Sequence, residues 1–123
     1  MISLGTITEE KIRQMVTQFY AKVQQDDILG PIFNTQIADP EWPHHLDRMC
    51  DFWSSVLLAS GRFHGNPPAK HAALPNIEPK HFDRWLTLFE PVLSDVYDPE
   101  TAGQILIRAQ RMRAVLQGFA CPA

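Results

Sequence analysis

Prolines divide this chain into segments that are compatible with helices and with little else. The 123 residues include ten prolines, and the apolar residues between them recur every three or four positions. That spacing matches the 3.6-residue period of a helix buried on one face, and no segment shows the alternation of a half-buried strand. Proline inside a helix removes a hydrogen bond and crowds the preceding turn, so it marks helix boundaries. The pattern predicts an all-α fold.

The first half of the chain predicts two long helices. Thr8 is expected to cap the first, which ends at Leu29-Gly30-Pro31, with Phe33 in the following turn. The second is expected to run to about Ser60, with Gly61 as its C-terminal cap. It carries two adjacent apolar stripes: one of His45, Met49, Phe52 and Val56, the other of Leu46, Cys50, Trp53 and Leu57. Either two helices sandwich it, or one stripe forms the wall of a pocket.

The second half predicts a loop over 61–68, a short helical turn over 69–74 and two further long helices. The first of these starts at Pro79, and Pro91 is expected to kink or split it. Asp98 is expected to cap the last helix. We expect a single domain over residues 1–123, with its core over about 8–119 and flexible ends.

Composition narrows the class of protein. The net charge is −3 and no basic run occurs, which makes nucleic acid an unlikely partner. No apolar run is long enough to cross a membrane, and the first residues do not resemble a signal peptide, so a cytoplasmic protein is expected. Cys50 and Cys121 suggest neither a disulfide framework nor a paired-thiol metal site.

Two histidines, His45 and His71, lie on predicted helical faces that are otherwise apolar and aromatic. A buried imidazole destabilises the fold unless it is hydrogen-bonded or bound to a ligand. Either histidine alone is compatible with a satisfied core residue. Together with Tyr20 and Trp85, which each bring one donor on an apolar body, they suggest one apolar pocket that holds a cofactor.

Haem fits this combination better than a bare metal ion does. His44, Asp47 and Asp51 share one helical face as conceivable ligands, but a solvated face with His44 pointing to water explains them better. The chain lacks the His-Glu-x-x-His, Gly-x-Ser-x-Gly and phosphate-binding glycine motifs. A haem needs one basic ligand and a slot of large apolar groups, and His71, between prolines, suits the role of ligand.

Several motifs, in this order, resemble the group III truncated haemoglobins over roughly residues 8–119. They are Phe19-Tyr20-Ala21-Lys22-Val23, Leu29-Gly30-Pro31-Ile32-Phe33-Asn34, Trp42-x-x-His45, Phe52-Trp53, Lys70-His71-x-x-Leu74-Pro75 and Phe82-x-x-Trp85-Leu86-x-Leu88-Phe89. Other groups of this family carry adjacent glycines, and none of the six glycines here neighbours another.

The resemblance implies a globin-like, two-over-two helical sandwich around non-covalent haem b. It places His71 as the iron ligand and Tyr20, His45 and Trp85 on the distal side, where His45 is either a donor or a gate. The expected cofactor contacts are Phe33, Met49, Phe52, Arg62, Lys70, Leu74, Phe82 and Met112, with Arg62, His64 and Lys70 as candidate partners of the propionates.

The resemblance also implies that ferrous iron binds dioxygen and related diatomic ligands. Donors that stabilise charge on such a ligand favour redox or detoxification chemistry on oxygen, nitric oxide or peroxide over bulk transport. Turnover would need an external reductase, since the chain has no flavin or nicotinamide domain. A haem-based sensor that acts through a protein partner is an alternative, as is a helical interaction module without a cofactor.

Overall fold

The computed structural model describes residues 7–72 and 77–121, without the side chains of Pro68, Ala72 and Phe119. All regular secondary structure in these two ranges is helical, as predicted. None of the helices described is long and apolar enough to cross a membrane. The described residues form six α-helices: α1 (Glu9–Gln25), α2 (Gly30–Gln36), α3 (Trp42–Leu58), α4 (Pro67–Ala72), α5 (Pro79–Val96) and α6 (Pro99–Ala120). A 3₁₀ turn, Asp39–Glu41, lies between α2 and α3.

Side-chain caps start α1 and α6 where the sequence predicts them. The Thr8 hydroxyl accepts a hydrogen bond from the Lys11 backbone N–H at 3.1 Å. A carboxylate oxygen of Asp98 accepts one from the Thr101 backbone N–H at 3.3 Å. Each cap satisfies a donor that the first turn of the helix leaves free. Both interactions span three residues, which is why the sequence reveals them.

The segment after α1 differs from the prediction, because Phe33 lies in helix α2 and not in a turn. Pro31 stands in the first turn of α2, where its missing N–H costs nothing. At Gly30 a Cβ atom would lie 3.0 Å from the carbonyl oxygen of Gln24, so glycine lets α2 pack closely against the end of α1. This approach holds Phe33 beside α1.

The structure differs from the prediction at the end of α3, and it excludes one of the two outcomes expected at Pro91, a split helix. Helix α3 ends at Leu58 and is capped by Ala59 in the left-handed region, with φ 56°, before Gly61 is reached. Helix α5 continues through Pro91 to Val96 and is not split. Pro91 is exposed, as is Thr87 one turn earlier, so water can bond to the carbonyl that the proline leaves free.

The long helices form two layers. Helix α1 packs against α3 in one layer and α5 packs against α6 in the other. Helix α1 also packs on α5, which joins the layers, and the short α4 packs on α6. The core between the layers is apolar and includes Ile12, Met15, Phe89, Leu93 and Ile105. This is the two-over-two helical sandwich that was predicted.

The two apolar stripes of α3 differ in burial. Cys50 and Trp53, in one stripe, are buried in the core, and Leu46 and Leu57 of the same stripe are half-buried. His45, Met49, Phe52 and Val56, the whole of the other stripe, are only half-buried. The sandwich therefore leaves a row of apolar side chains on α3 partly uncovered, which favours the pocket-wall interpretation over full packing between helices.

Candidate functional site

Tyr20 on α1 and His45 on α3 lie in direct contact. Their ring centroids are 5.0 Å apart, with the rings nearly perpendicular at 88°. Phe33 packs edge-on against Tyr20 at 5.8 Å and against His45 at 6.5 Å. Trp42 completes the cluster, 5.4 Å from His45 and 6.0 Å from Tyr20. We call Tyr20, Phe33, Trp42 and His45 the distal cluster.

Sequence reasoning did not assign a site role to Trp42. It treated this residue only as part of the Trp42-x-x-His45 motif, although a spacing of three residues places both side chains on one face of a helix. That spacing was the available indication. In the structure Trp42 is buried, and its ring contacts His45, as do the rings of Tyr20 and Phe33.

Burial keeps the distal cluster uncharged. It raises the pKa of the Tyr20 hydroxyl well above its ordinary value. It also lowers the pKa of His45 to about 4, with smaller contributions from the positive charges of Arg48 and His44. His45 is therefore a neutral imidazole near pH 7. Its Nε2 atom is buried and has no hydrogen-bond partner among the described residues.

Trp85 lies next to the distal cluster but does not contact Tyr20 or His45 ring to ring. It stacks on Phe89 at 5.1 Å and meets the edge of Phe19 at 5.7 Å. Phe19 in turn contacts the ring of Tyr20 at 5.0 Å. The three expected distal residues thus form a touching pair, Tyr20 and His45, with Trp85 connected to the pair through Phe19.

His71 lies near the end of α4, half-buried, and its ring is held by its own helix. The Nδ1 atom is 2.7 Å from the carbonyl oxygen of Pro67, four residues earlier. A carbonyl can only accept a hydrogen bond, so Nδ1 carries the proton and Nε2 keeps its lone pair. Phe82 of α5 lies beside this ring, with centroids 6.2 Å apart.

His81 has the opposite arrangement. It is buried, and its Nδ1 accepts a hydrogen bond from the Glu78 backbone N–H at 2.8 Å. This bond helps start α5 and places any remaining ring proton on Nε2, so neither nitrogen of His81 is available as a ligand. His71 Nδ1 donates its hydrogen bond, which leaves Nε2 free as a potential iron ligand, whereas His81 Nδ1 accepts one and has a structural role.

Arg62 is engaged in ion pairs with α1 and α3. Its guanidinium donates to both Glu9 carboxylate oxygens, at 3.0 and 2.8 Å, and to Asp51 at 3.1 Å. The buried Ser54 hydroxyl also donates to Glu9, at 2.7 Å. These bonds fasten the loop after α3 to α1 and α3. A structural role therefore explains Arg62, and its contact with a propionate stays only a prediction.

The other expected cofactor contacts lie on several elements. Phe82 is buried, and Met49, Phe52 and Met112 are half-buried on α3 and α6. Lys70 and His64 are exposed. Leu74 lies outside the described residues. Met49 and Phe52 on α3 and Met112 on α6 are thus partly exposed apolar side chains, and Lys70 extends into solvent.

The alternative of a bare metal site finds no support in the described part of the chain. No group of three His, Cys, Asp or Glu side chains there could hold a metal ion. Asp47 forms an ion pair with Arg13 at 2.8 Å, and Asp51 pairs with Arg62. His44, on the same face, is exposed. This face is solvated and ion-paired.

Fold and site together define a globin. The family of bacterial-like globins matches residues 4–117 of this chain, and the chain belongs to that family. A curated relative, the group 3 truncated hemoglobin ctb of Campylobacter jejuni, is 41% identical over 116 residues, which cover 93% of this chain and 91% of the relative. The predicted resemblance to group III truncated haemoglobins is thereby confirmed.

A solved structure gives the same result for the fold. The crystal structure of the group III truncated hemoglobin from Campylobacter jejuni superposes with a TM-score of 0.91 at 38% identity. The match covers 98% of this chain and 97% of that one. Membership of the globin family implies haem-based binding of small ligands.

The residues present fit a haem. A metal-bound histidine usually donates its other ring N–H to a carbonyl or carboxylate, and His71 does so to Pro67. A macrocycle also needs apolar walls, which the half-buried side chains of α3 and α6 provide. The distal cluster carries no charge, so it suits a small diatomic ligand better than an ion.

Proposed function

We propose that this chain holds non-covalent haem b through His71 and binds dioxygen and related diatomic ligands on the side of Tyr20. The observation that carries the proposal is the hydrogen bond from His71 Nδ1 to the Pro67 carbonyl. It fixes the tautomer that leaves Nε2 free for a metal, and it prevents the ring from turning. Phe82, tilted at 34° beside His71, supports the ring from α5.

Haem would supply reversible binding of diatomic gases and one-electron chemistry at its iron. The chain's contribution on the distal side is a set of hydrogen-bond donors in apolar surroundings. The Tyr20 hydroxyl is protonated at neutral pH, as tyrosines ordinarily are, and burial raises its pKa further. It can therefore donate to a ligand that carries partial negative charge. Trp85 is proposed as a second donor through its indole N–H.

Such donors retain a ligand and stabilise charge that develops on it. We therefore propose redox or detoxification chemistry on oxygen, nitric oxide or peroxide as the physiological role, with a reductase as the source of electrons. A cytoplasmic location is part of this proposal. Met49, Phe52, Lys70, Leu74 and Met112 are proposed to contact the cofactor.

Replacement of His71 tests the proposed iron ligand. In His71→Gly we expect loss of the absorbance spectrum of histidine-ligated ferrous haem and recovery of that spectrum when free imidazole is added. His44→Ala, which removes an exposed histidine from the solvated, ion-paired face of α3, is the control and should keep the wild-type spectrum. An unchanged five-coordinate spectrum in His71→Gly would show that another residue binds the iron.

A further inference from the structure

Two buried nitrogen atoms of the distal cluster lack hydrogen-bond partners among the described residues. They are Nε1 of Trp42 and Nε2 of His45. An indole nitrogen can only donate, whereas Nε2 of a neutral imidazole can accept. A buried polar atom without a partner destabilises the fold, so native proteins rarely leave such atoms unpaired.

The two atoms belong to neighbouring rings of complementary chemistry. Trp42 and His45 are separated by three residues on α3, and their ring centroids lie 5.4 Å apart at 85°. A turn of the imidazole within the cluster would allow Nε2 to meet the indole N–H. We propose that Trp42 is a positioning residue for His45, because its indole N–H is the hydrogen-bond donor to His45 Nε2.

The Tyr20 hydroxyl is the competing partner for His45, since the two rings are also in contact. A bond from Tyr20 would satisfy His45 but would leave the Trp42 N–H without a partner. A bond from Trp42 satisfies both unpartnered atoms at once. Trp42 is only 7% exposed, so it cannot reach bulk water instead. The pairing of Trp42 with His45 is therefore favoured.

Electrostatics support the same pairing. His45 can accept at Nε2 only as a neutral imidazole with its proton on Nδ1. The surroundings of His45 disfavour its charged form, since burial and the positive groups at Arg48 and His44 all act in that direction. The donor from Trp42 would then select one of the two neutral tautomers.

The pairing has a consequence for ligand binding, which rests on the proposed function. While Nε2 accepts from Trp42, it has no proton to donate to a diatomic ligand. Donation by His45 would first require the bond to Trp42 to break and the proton to move to Nε2. Trp42 thus determines whether His45 acts as a distal donor. The Tyr20 hydroxyl can donate without breaking a bond to Trp42 and without a change of tautomer.

The tautomer of His45 tests this inference directly. Wild type and Trp42→Phe, labelled with ¹⁵N-histidine, would be compared by NMR as ferrous carbon monoxide complexes, which are diamagnetic. In wild type we expect Nδ1 protonated and Nε2 accepting. In Trp42→Phe, which keeps an aromatic ring but loses the N–H, the tautomer ratio should shift toward Nε2–H by about three- to tenfold, the effect of one neutral hydrogen bond.

Trp53→Phe is the matched control, since Trp53 is a buried tryptophan of the same helix that stacks on Phe89. It should leave the His45 tautomer unchanged. A wild-type His45 protonated at Nε2, or the same ratio in wild type and Trp42→Phe, would overturn the inference. Absence of haem from the wild type would instead contradict the proposed function, and the tautomers would then be compared in the haem-free chains.

Discussion

Tyr20 and Tyr97, the two tyrosines of the chain, are both buried but have different surroundings. Tyr20 lies in the distal cluster, whereas Tyr97 follows α5 and its buried hydroxyl has no partner among the described residues. The pair therefore separates an effect on a ligand from the general effect of removing a buried phenolic hydroxyl.

We expect Tyr20→Phe to speed oxygen release, because the ligand would lose a hydrogen bond to its charged end. Such a bond is worth about 1.5–3 kcal/mol, which corresponds to roughly a 10- to 150-fold faster dissociation. Tyr97→Phe should have the wild-type rate in the same stopped-flow measurement. Trp85→Phe should change the rate in the same direction as Tyr20→Phe, and unchanged rates in both would refute the donor role.

At the scale of single elements, the C-terminal cap of α3 carries backbone strain. Ala59 has a φ of 56°, a conformation in which a side chain with a Cβ is strained. It is exposed, so its methyl group contributes little packing. Two residues later Gly61 adopts φ 72°, a conformation that glycine tolerates without strain. Beyond its two chain neighbours, no atom of the described residues lies within 4 Å of the position that a Cβ would take there.

Ala59→Gly should therefore stabilise the protein. Relief of backbone strain outweighs the greater freedom of glycine in the unfolded chain, and we expect a gain of about 0.5–1 kcal/mol in the free energy of unfolding. Urea denaturation would measure it. Gly61→Ala, in the same loop, should have the opposite sign. A lower stability of Ala59→Gly would mean that the strain at this cap is negligible.

The helices that the sequence predicted well are those that local chemistry defines. The caps at Thr8 and Asp98 act over three residues and need no tertiary contact. Helix α2 has no side-chain cap and only seven residues, so its formation depends on its packing against α1 beside Gly30. The passage of α5 through Pro91 depends on exposure of that turn, which only the tertiary structure reveals.

At the scale of the whole molecule, acid should destabilise the fold before its carboxylates titrate. His45 has a folded-state pKa of about 4, below its ordinary value of 6.5. As the pH falls below 6.5, the unfolded chain takes up a proton that the folded protein does not. The stability due to neutral His45 is thus complete above pH 6.5 and is lost as the pH falls toward 4.

Comparison of wild type with His45→Gln, which cannot titrate, isolates this effect. Between pH 7.5 and pH 4.5 the wild type should lose about 2 kcal/mol more than the variant in the free energy of unfolding. Ion pairs such as that of Glu9 with Arg62 are common to both proteins, so their contribution to the pH dependence of stability cancels in the comparison. Urea denaturation at the two pH values, with matched haem content, gives the comparison, and parallel losses would contradict the expected pKa of His45.

The candidate site could be predicted from sequence only in part. The structure brings Tyr20 and His45 into contact, and their motifs had suggested one pocket. The contact of Trp85 with Phe19 instead of Tyr20 depends on how the layers pack, and so do the ion pairs of Arg62. No single motif encodes that packing. The unpartnered nitrogen of Trp42 is likewise a property of the assembled cluster.

Helix α4 has six residues, too few for a helix to persist in water without tertiary support. The hydrogen bond from His71 to Pro67 spans nearly its whole length, and α6 supplies its packing. The side chain proposed to hold the iron therefore also holds its own helix closed. We expect unwinding of α4 and release of the haem to be one event, so that the lifetime of the cofactor in the protein is set by the opening of little more than one helical turn.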